Sequence, residues 1–145
     1  MAEAGQLYGG VVHQTKLHGP HGGNGGTSWN DGTAHNGVQK IILSHKEGEC
    51  GGIGTFSVTY SDDELDSDEV IEKLSGYTGA VSGALTTTEV VRSLTIKTNK
   101  DTYEYGVREG KTFSTPTIPH NSKIAGFVGK TSNDYLNAIG LYEKS

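Results

Sequence analysis

The twelve residues from His21 to Gly32 carry the most distinctive chemistry of the sequence, because five of them are glycine. Glycine has no Cβ atom, so a loop of this kind can bring its backbone N–H groups close to a bound molecule. A phosphate-binding loop of the Walker type is excluded, since no lysine and no helix signal follow the glycines. The run therefore predicts a ligand-binding loop, with a plain hairpin loop as the alternative.

Residues that hold metals or act as nucleophiles form no recognisable pattern. Six acidic residues between Asp62 and Glu69 lack the turn glycine and the twelfth-position glutamate of an EF-hand. His18 and His21 have no third ligand at suitable spacing, and Cys50 has no catalytic histidine near it in sequence, so we expect an inert thiol. Neither a Gly-x-Ser-x-Gly nor a Cys/His signature occurs. We expect a protein that is not an enzyme and that uses no metal or cofactor; a calcium- or mineral-binding acidic surface is an alternative.

Strand-like stretches rich in β-branched and aromatic residues recur about every dozen residues, the spacing of an all-β domain. The clearest alternation places Phe56, Val58 and Tyr60 on one face of a strand. For Asp62–Leu74 we expect a charged turn leading into an edge strand, with a short helix as the alternative. The predicted strands are Val38–Ser44, Thr55–Ser61, Glu89–Thr98, Asp101–Val107, Lys111–Ile118, Lys123–Val128 and Asn137–Glu143.

Glycine-rich turns are predicted at Gly22–Gly26, Gly76–Gly83 and Gly106–Gly110, a weak sign of three related hairpin units. No linker composition interrupts the chain, so we predict one domain over residues 1–145.

Overall composition excludes several classes of protein. The net charge is −5 and the cations are scattered, which argues against nucleic-acid binding. One cysteine excludes a disulfide scaffold, and no apolar run is long enough to enter a membrane as a helix. The first residues lack the features of a signal peptide, so we expect a cytoplasmic protein. A secreted chain that has lost its leader and begins with a new methionine would look the same.

Three motifs, in order along the chain, resemble the jacalin-related lectins. The glycine run and its Trp29-Asn30-Asp31-Gly32 ending are similar to that family's N-terminal loop. A second match is the strand from Arg92 to Asn99, and the third comprises the closing segments Gly126–Gly129 and Leu136–Tyr142. The resemblance covers about residues 19 to 143. It implies an all-β prism of three four-stranded Greek-key sheets that binds a sugar at one end.

By the same resemblance, four residues are expected to bind carbohydrate: Gly26, Asp134, Tyr135 and Asn137. Gly26 corresponds to the last glycine of the family's loop, and Asp134 and Tyr135 would offer backbone N–H groups. Asn137 stands where the family has an aspartate that accepts hydrogen bonds from two sugar hydroxyls. An amide supplies one acceptor and one donor group, so we expect weaker binding or a different hydroxyl pattern.

The expected partners are mannose- or glucose-containing glycans, because galactose-binding relatives place an aromatic residue where this sequence has Ala84. A second sugar site that some relatives carry falls on the acidic Asp62–Asp68 stretch and is not expected here. The alternative function is a protein-interaction or assembly module that has kept the prism and lost strong sugar binding. We also expect a homodimer or a higher homo-oligomer, since lectins gain avidity by presenting several sites.

Overall fold

A computed structural model describes residues 6–8, 11–13, 15–48, 50–61, 69–82, 87–119 and 121–145. Within these ranges every regular element is a β-strand. The strands are β1 (Gln6–Tyr8), β2 (Val11–His13), β3 (Thr15–Gly22), β4 (Thr27–Asn30), β5 (Val38–Lys46), β6 (Gly52–Tyr60), β7 (Ile71–Ser82), β8 (Thr87–Thr98), β9 (Thr102–Gly106), β10 (Lys111–Ser114), β11 (Lys123–Thr131) and β12 (Leu136–Lys144).

The strands form a prism whose three faces are unequal. One face has the order β3-β12-β11-β4 and a second has the order β10-β7-β8-β9, both antiparallel. The third face is the antiparallel pair β5–β6, and β1–β2 forms a separate hairpin. The predicted all-β architecture is confirmed. The prediction of four strands per sheet holds for two faces. The third face has two strands in the part of the chain that is described.

The three faces enclose one apolar core. Phe56 lies against Trp29 and Phe127, with ring centroids 6.4 Å and 5.4 Å apart, so side chains from two faces meet there. Burial along β6 alternates as predicted, with Phe56, Val58 and Tyr60 turned inward. The largest fully buried apolar side chains are Ile53, Leu74, Val90, Val91, Leu94, Phe127, Leu136, Ile139 and Leu141.

Strand β7 differs most from the sequence prediction. The structure places Ile71–Ser82 in an interior strand between β10 and β8, so both the edge strand and the helix expected to include Ile71–Leu74 are wrong. The turn predicted at Gly76–Gly83 is likewise strand up to Ser82. A Cβ atom at Gly76 would collide with the backbone oxygen of Ser93, so this glycine serves close strand packing rather than a turn. Residues 62–68 lie outside the described part of the chain.

Candidate functional site

Two loops meet at one end of the β3-β12-β11-β4 sheet. Because β12 and β11 are its inner strands, the β3–β4 loop, residues 23–26, crosses over the β11–β12 turn, residues 132–135. Gly23 N–H donates to the carbonyl of Asn137 (2.9 Å), which fixes the loop to the start of β12. Sheet topology therefore brings the four residues predicted from sequence to the same end of the prism.

Asn137 is the most unusual side chain of this end. It is 1 % exposed, and neither its Oδ1 nor its Nδ2 atom has a hydrogen-bond partner among the described residues. The amide lies against the glycine loop: a Cβ atom at Gly26 would be 3.2 Å from Oδ1, and one at Gly25 would be 3.4 Å from Nδ2. A buried polar group without a partner costs about 1–3 kcal/mol, so proteins seldom keep one without a use for it. Both the donor and the acceptor of this amide are therefore unused beneath the loop.

Gly26 is required by the backbone as well as by the space around it. Its φ is +84°, where side chains other than glycine are strained. A Cβ atom there would also lie 2.5 Å from the carbonyl oxygen of Thr131. Glycine thus keeps the loop closed over the turn and leaves the Asn137 amide uncovered by a side chain at this position.

The β11–β12 turn presents Asp134 and Tyr135 beside this loop. The backbone N–H groups of both have no acceptor among the described residues. The Tyr135 ring is held on the other side by the protein itself, since its hydroxyl donates to the carbonyl of Cys50 (2.6 Å) and Lys46 Nζ lies 5.0 Å from its centroid. Lys46 and the exposed Asp134 carboxylate are 3.8 Å apart, an ion pair that contributes little in water.

Arg92 supports the turn that holds Tyr135, a role that the sequence motifs did not indicate. Its side chain is buried on β8, and its Nε donates to the carbonyl of Gly51 (2.7 Å) while its Nη2 is 3.4 Å from that of Gly48. Both acceptors belong to the β5–β6 turn that also holds the Tyr135 hydroxyl. The sequence signal was an arginine directly after the apolar pair Val90 and Val91, since a buried charge needs fixed partners.

No group of three or more metal-ligating side chains is assembled in the part of the chain described here. His18 bonds to Glu143 (2.9 Å), and His21 stacks on Phe113 at 5.1 Å. Burial, and secondarily the nearby His18, lowers the pKa of His21 below its ordinary 6.5. Among the described residues, no helix is long and apolar enough to cross a membrane. Ala84 and the Asp62–Asp68 stretch, where no second sugar site is expected, lie outside those residues.

Comparison with known proteins assigns this geometry to a family. The sequence model of the jacalin-like lectin domain matches residues 18–142, which includes both loops and all ten strands of the prism except the start of β3 and the end of β12. The chain belongs to the jacalin-like lectin family. Both the predicted resemblance and the prediction of a carbohydrate-binding protein that is not an enzyme are thereby confirmed.

Individual relatives of this lectin cover nearly its whole length. A galactose-specific lectin of Morus indica is 35 % identical over 81 % of this chain and 83 % of its own. Artocarpin, solved as a mannotriose complex, superposes with a TM-score of 0.76 at 41 % identity, covering 90 % of this chain and 97 % of its own. A mannose-specific jacalin-related lectin of Morus nigra, solved with mannose, gives a TM-score of 0.77 at 36 % identity over 97 % and 99 % of the two chains.

Proposed function

We propose that this lectin binds mannose- or glucose-type glycans without a metal ion, at the site formed by Gly26, Asp134, Tyr135 and Asn137. The observation that carries the proposal is the buried, unpartnered amide of Asn137 beside the glycine loop. A neutral sugar is recognised by directed hydrogen bonds from its hydroxyls. Here the amide supplies an acceptor and a donor, and the turn adds the backbone N–H groups of Asp134 and Tyr135.

The two solved relatives support the sugar class, since one was crystallised with mannotriose and the other with mannose. The galactose-specific relative makes specificity the point to test. Ala84 favours the mannose class, because it offers no aromatic face for galactose to stack on. Asn137 sets this chain apart from the family pattern, and its NH₂ group can face only a sugar oxygen that accepts.

Calorimetric titration with methyl α-mannoside, methyl α-glucoside and methyl α-galactoside tests the proposal. We expect heat of binding from the first two, unchanged by EDTA. Preference for the galactoside would overturn the specificity. Loss of binding in EDTA with recovery in Ca²⁺ would overturn metal independence. A protein that binds none of the three sugars, nor immobilised mannan, would favour an assembly module on the same prism.

We also propose that this lectin self-associates into a homodimer or a higher even oligomer. A single site built from a few neutral hydrogen bonds binds weakly, because each contributes about 0.5–1.5 kcal/mol. Presenting two or more sites on one particle raises avidity toward a branched glycan without any new contact. Closed dimers are the commonest such assembly.

A further inference from the structure

A groove of about 530 Å³ runs between β5 and β9 and is lined by none of the four residues of the Asn137 site. Its lining includes core side chains, among them Leu43, Ile71 and Ile96, together with the rings of Tyr103 and Tyr105. Of the four large apolar residues that are most exposed among those described, Ile42 and Tyr103 line this groove and Val70 adjoins it in sequence. Apolar side chains gathered in this way usually mark a surface that another element covers.

Both walls of the groove are open strand edges. Among the described strands, β5 is hydrogen-bonded only to β6, and β9 only to β8. An open edge offers unpaired N–H and C=O groups to a further strand. A two-stranded sheet is also marginal by itself. Ten residues, 61–70, separate β6 from β7. Two additional strands of about five to six residues each would need all ten of these residues and leave none for the turns.

The β1–β2 hairpin is the complementary feature. Its two strands pair with each other, Gln6 opposite His13 and Tyr8 opposite Val11, and with no other described strand. Its sequence includes Leu7, Val11 and Val12, which are apolar and suited to strands. The described residues thus contain a two-stranded sheet with an open edge and a two-stranded hairpin that joins no larger sheet.

Strand β2 cannot lie along the groove of its own chain. Thr15, where β3 begins, pairs with Lys144 of β12. The strand order then continues from β12 to β11 and on to Gly37, which precedes Val38 at the nearest end of the groove. Three strand spacings, roughly 14 Å, therefore separate Thr15 from that end of the groove. Gln14 alone joins β2 to β3 and spans at most about 7 Å between its neighbours' Cα atoms.

We propose that the β1–β2 hairpin of one chain lies in the β5–β9 groove of a second copy and pairs with the edge of its β5, so that reciprocal exchange forms a closed dimer. The exchange would add two strands to the β5–β6 face, which has two in the described ranges, and would cover Ile42 and Tyr103. It does not depend on sugar binding, because the groove and the Asn137 site share no residue.

The first test compares Val12→Asp with Leu17→Asp by light scattering. Both place a charge on an apolar residue, but Leu17 is 49 % exposed on β3, outside the groove. Wild type and Leu17→Asp should have twice the 15.3 kDa mass of one chain. Val12→Asp should raise the dimer dissociation constant at least about tenfold, because a buried charge costs more than 1.4 kcal/mol. A dimer lost in Leu17→Asp but kept in Val12→Asp, or a monomeric wild type, would overturn the proposal.

A second test separates exchange between chains from contact within one. Two variants, both with Cys50→Ser, carry either Val12→Cys or Ile42→Cys and are mixed under mild oxidation. We expect a disulfide between unlike chains, and far less when Leu17→Cys replaces Ile42→Cys. Absence of that disulfide, or an intramolecular one when both cysteines are on a single chain, would overturn the exchange. The Cys50 carbonyl holds the Tyr135 hydroxyl, so Cys50→Ser alone is the reference for sugar titration. Titration of the same samples against that reference tells failure of the dimer from failure of the lectin.

Discussion

The Asn137 site and the β5–β9 groove depart from ordinary packing in opposite ways. At the first, two polar atoms are buried without a partner. At the second, apolar side chains that elsewhere fill the core are exposed to solvent. The first departure calls for a ligand that makes hydrogen bonds, and the second calls for one that covers apolar surface and pairs with a strand edge.

This difference implies two functions that can be separated. Sugar binding would be a property of the single prism, whereas assembly would depend on the groove and the hairpin. Substitutions at the Asn137 site should therefore change affinity and leave the mass of the particle unchanged. The predictions below test that separation.

The largest effect is expected for Asn137→Leu. Leucine removes both the donor and the acceptor, so titration with methyl α-mannoside should fall below detection. Stability should stay the same or rise by about 1 kcal/mol, because a buried polar group without a partner is removed. Ser93→Ala is the matched control: Ser93 Oγ is also buried and unpartnered but lies on β8 away from the loop, so binding should be kept. A strong loss of stability in Asn137→Leu would show that the amide is structural.

The next effect is expected for Gly26→Ala, with Gly32→Ala as its control. The two glycines have nearly equal φ values, +84° and +85°, so alanine adds a similar backbone strain of about 1–2 kcal/mol at each. A Cβ atom at Gly32 meets nothing within 4 Å, while one at Gly26 approaches Thr131 and Asn137. Gly26→Ala should weaken binding tenfold or more and Gly32→Ala should not. Equal affinities, with both variants folded by thermal melting, would place the site elsewhere.

Asn137→Asp should have a smaller effect in the opposite direction. A carboxylate accepts from two hydroxyls, and hydrogen bonds to a charged group are stronger than neutral ones by about 1 kcal/mol. After part of this is lost to desolvation of the charge, we expect roughly a fivefold gain in affinity for methyl α-mannoside. Reduced affinity in this variant would show that the amide NH₂ donates to the sugar, and that this lectin reads a hydroxyl pattern of its own.

The sequence predicted strands whose side chains alternate between apolar and polar. It did not predict strands in which glycines allow close packing against a neighbouring segment. The alternation in β6 is visible because one face is buried and the other is solvated. Strand β7 contains Gly76 and Gly79, which suggested a turn. In the structure, Ser93 lies close to Gly76 and Gly110 lies close to Gly79, so these glycines serve close packing. Strand β3 contains Gly19 and Pro20, which disfavour strands in general.

The candidate site could be assigned from motifs, but its physical character could not. Matching motifs predicted which four residues would come together. That the Asn137 amide is buried and unpartnered follows from the loop crossing the turn, a contact between segments more than a hundred residues apart. The role of Arg92 and the groove along β5 likewise depend on which strands become neighbours, and local sequence does not encode that.

The smallest predicted effect uses pH to separate the same two regions. Burial lowers the pKa of His21 at the loop, so below pH 6.5 the unfolded chain takes up a proton before the folded one does, and stability falls. At the groove, hydrogen bonds from Thr98 and then Tyr103 lower the pKa of Glu69, so its contribution is lost only as the pH falls below 4.5.

Thermal melting of wild type, His21→Phe and Glu69→Gln from about pH 7.5 to 3.5 would resolve these two contributions. His21→Phe keeps a ring against Phe113 and should flatten the curve just below pH 6.5, while Glu69→Gln should flatten it only below pH 4.5. Hydrogen exchange should then show the loop next to β3 opening before the edge of β9 as the solution is acidified. Simultaneous opening of the two regions, or a His21→Phe curve parallel to that of wild type, would mean that these side chains do not set the pH dependence of the two regions separately.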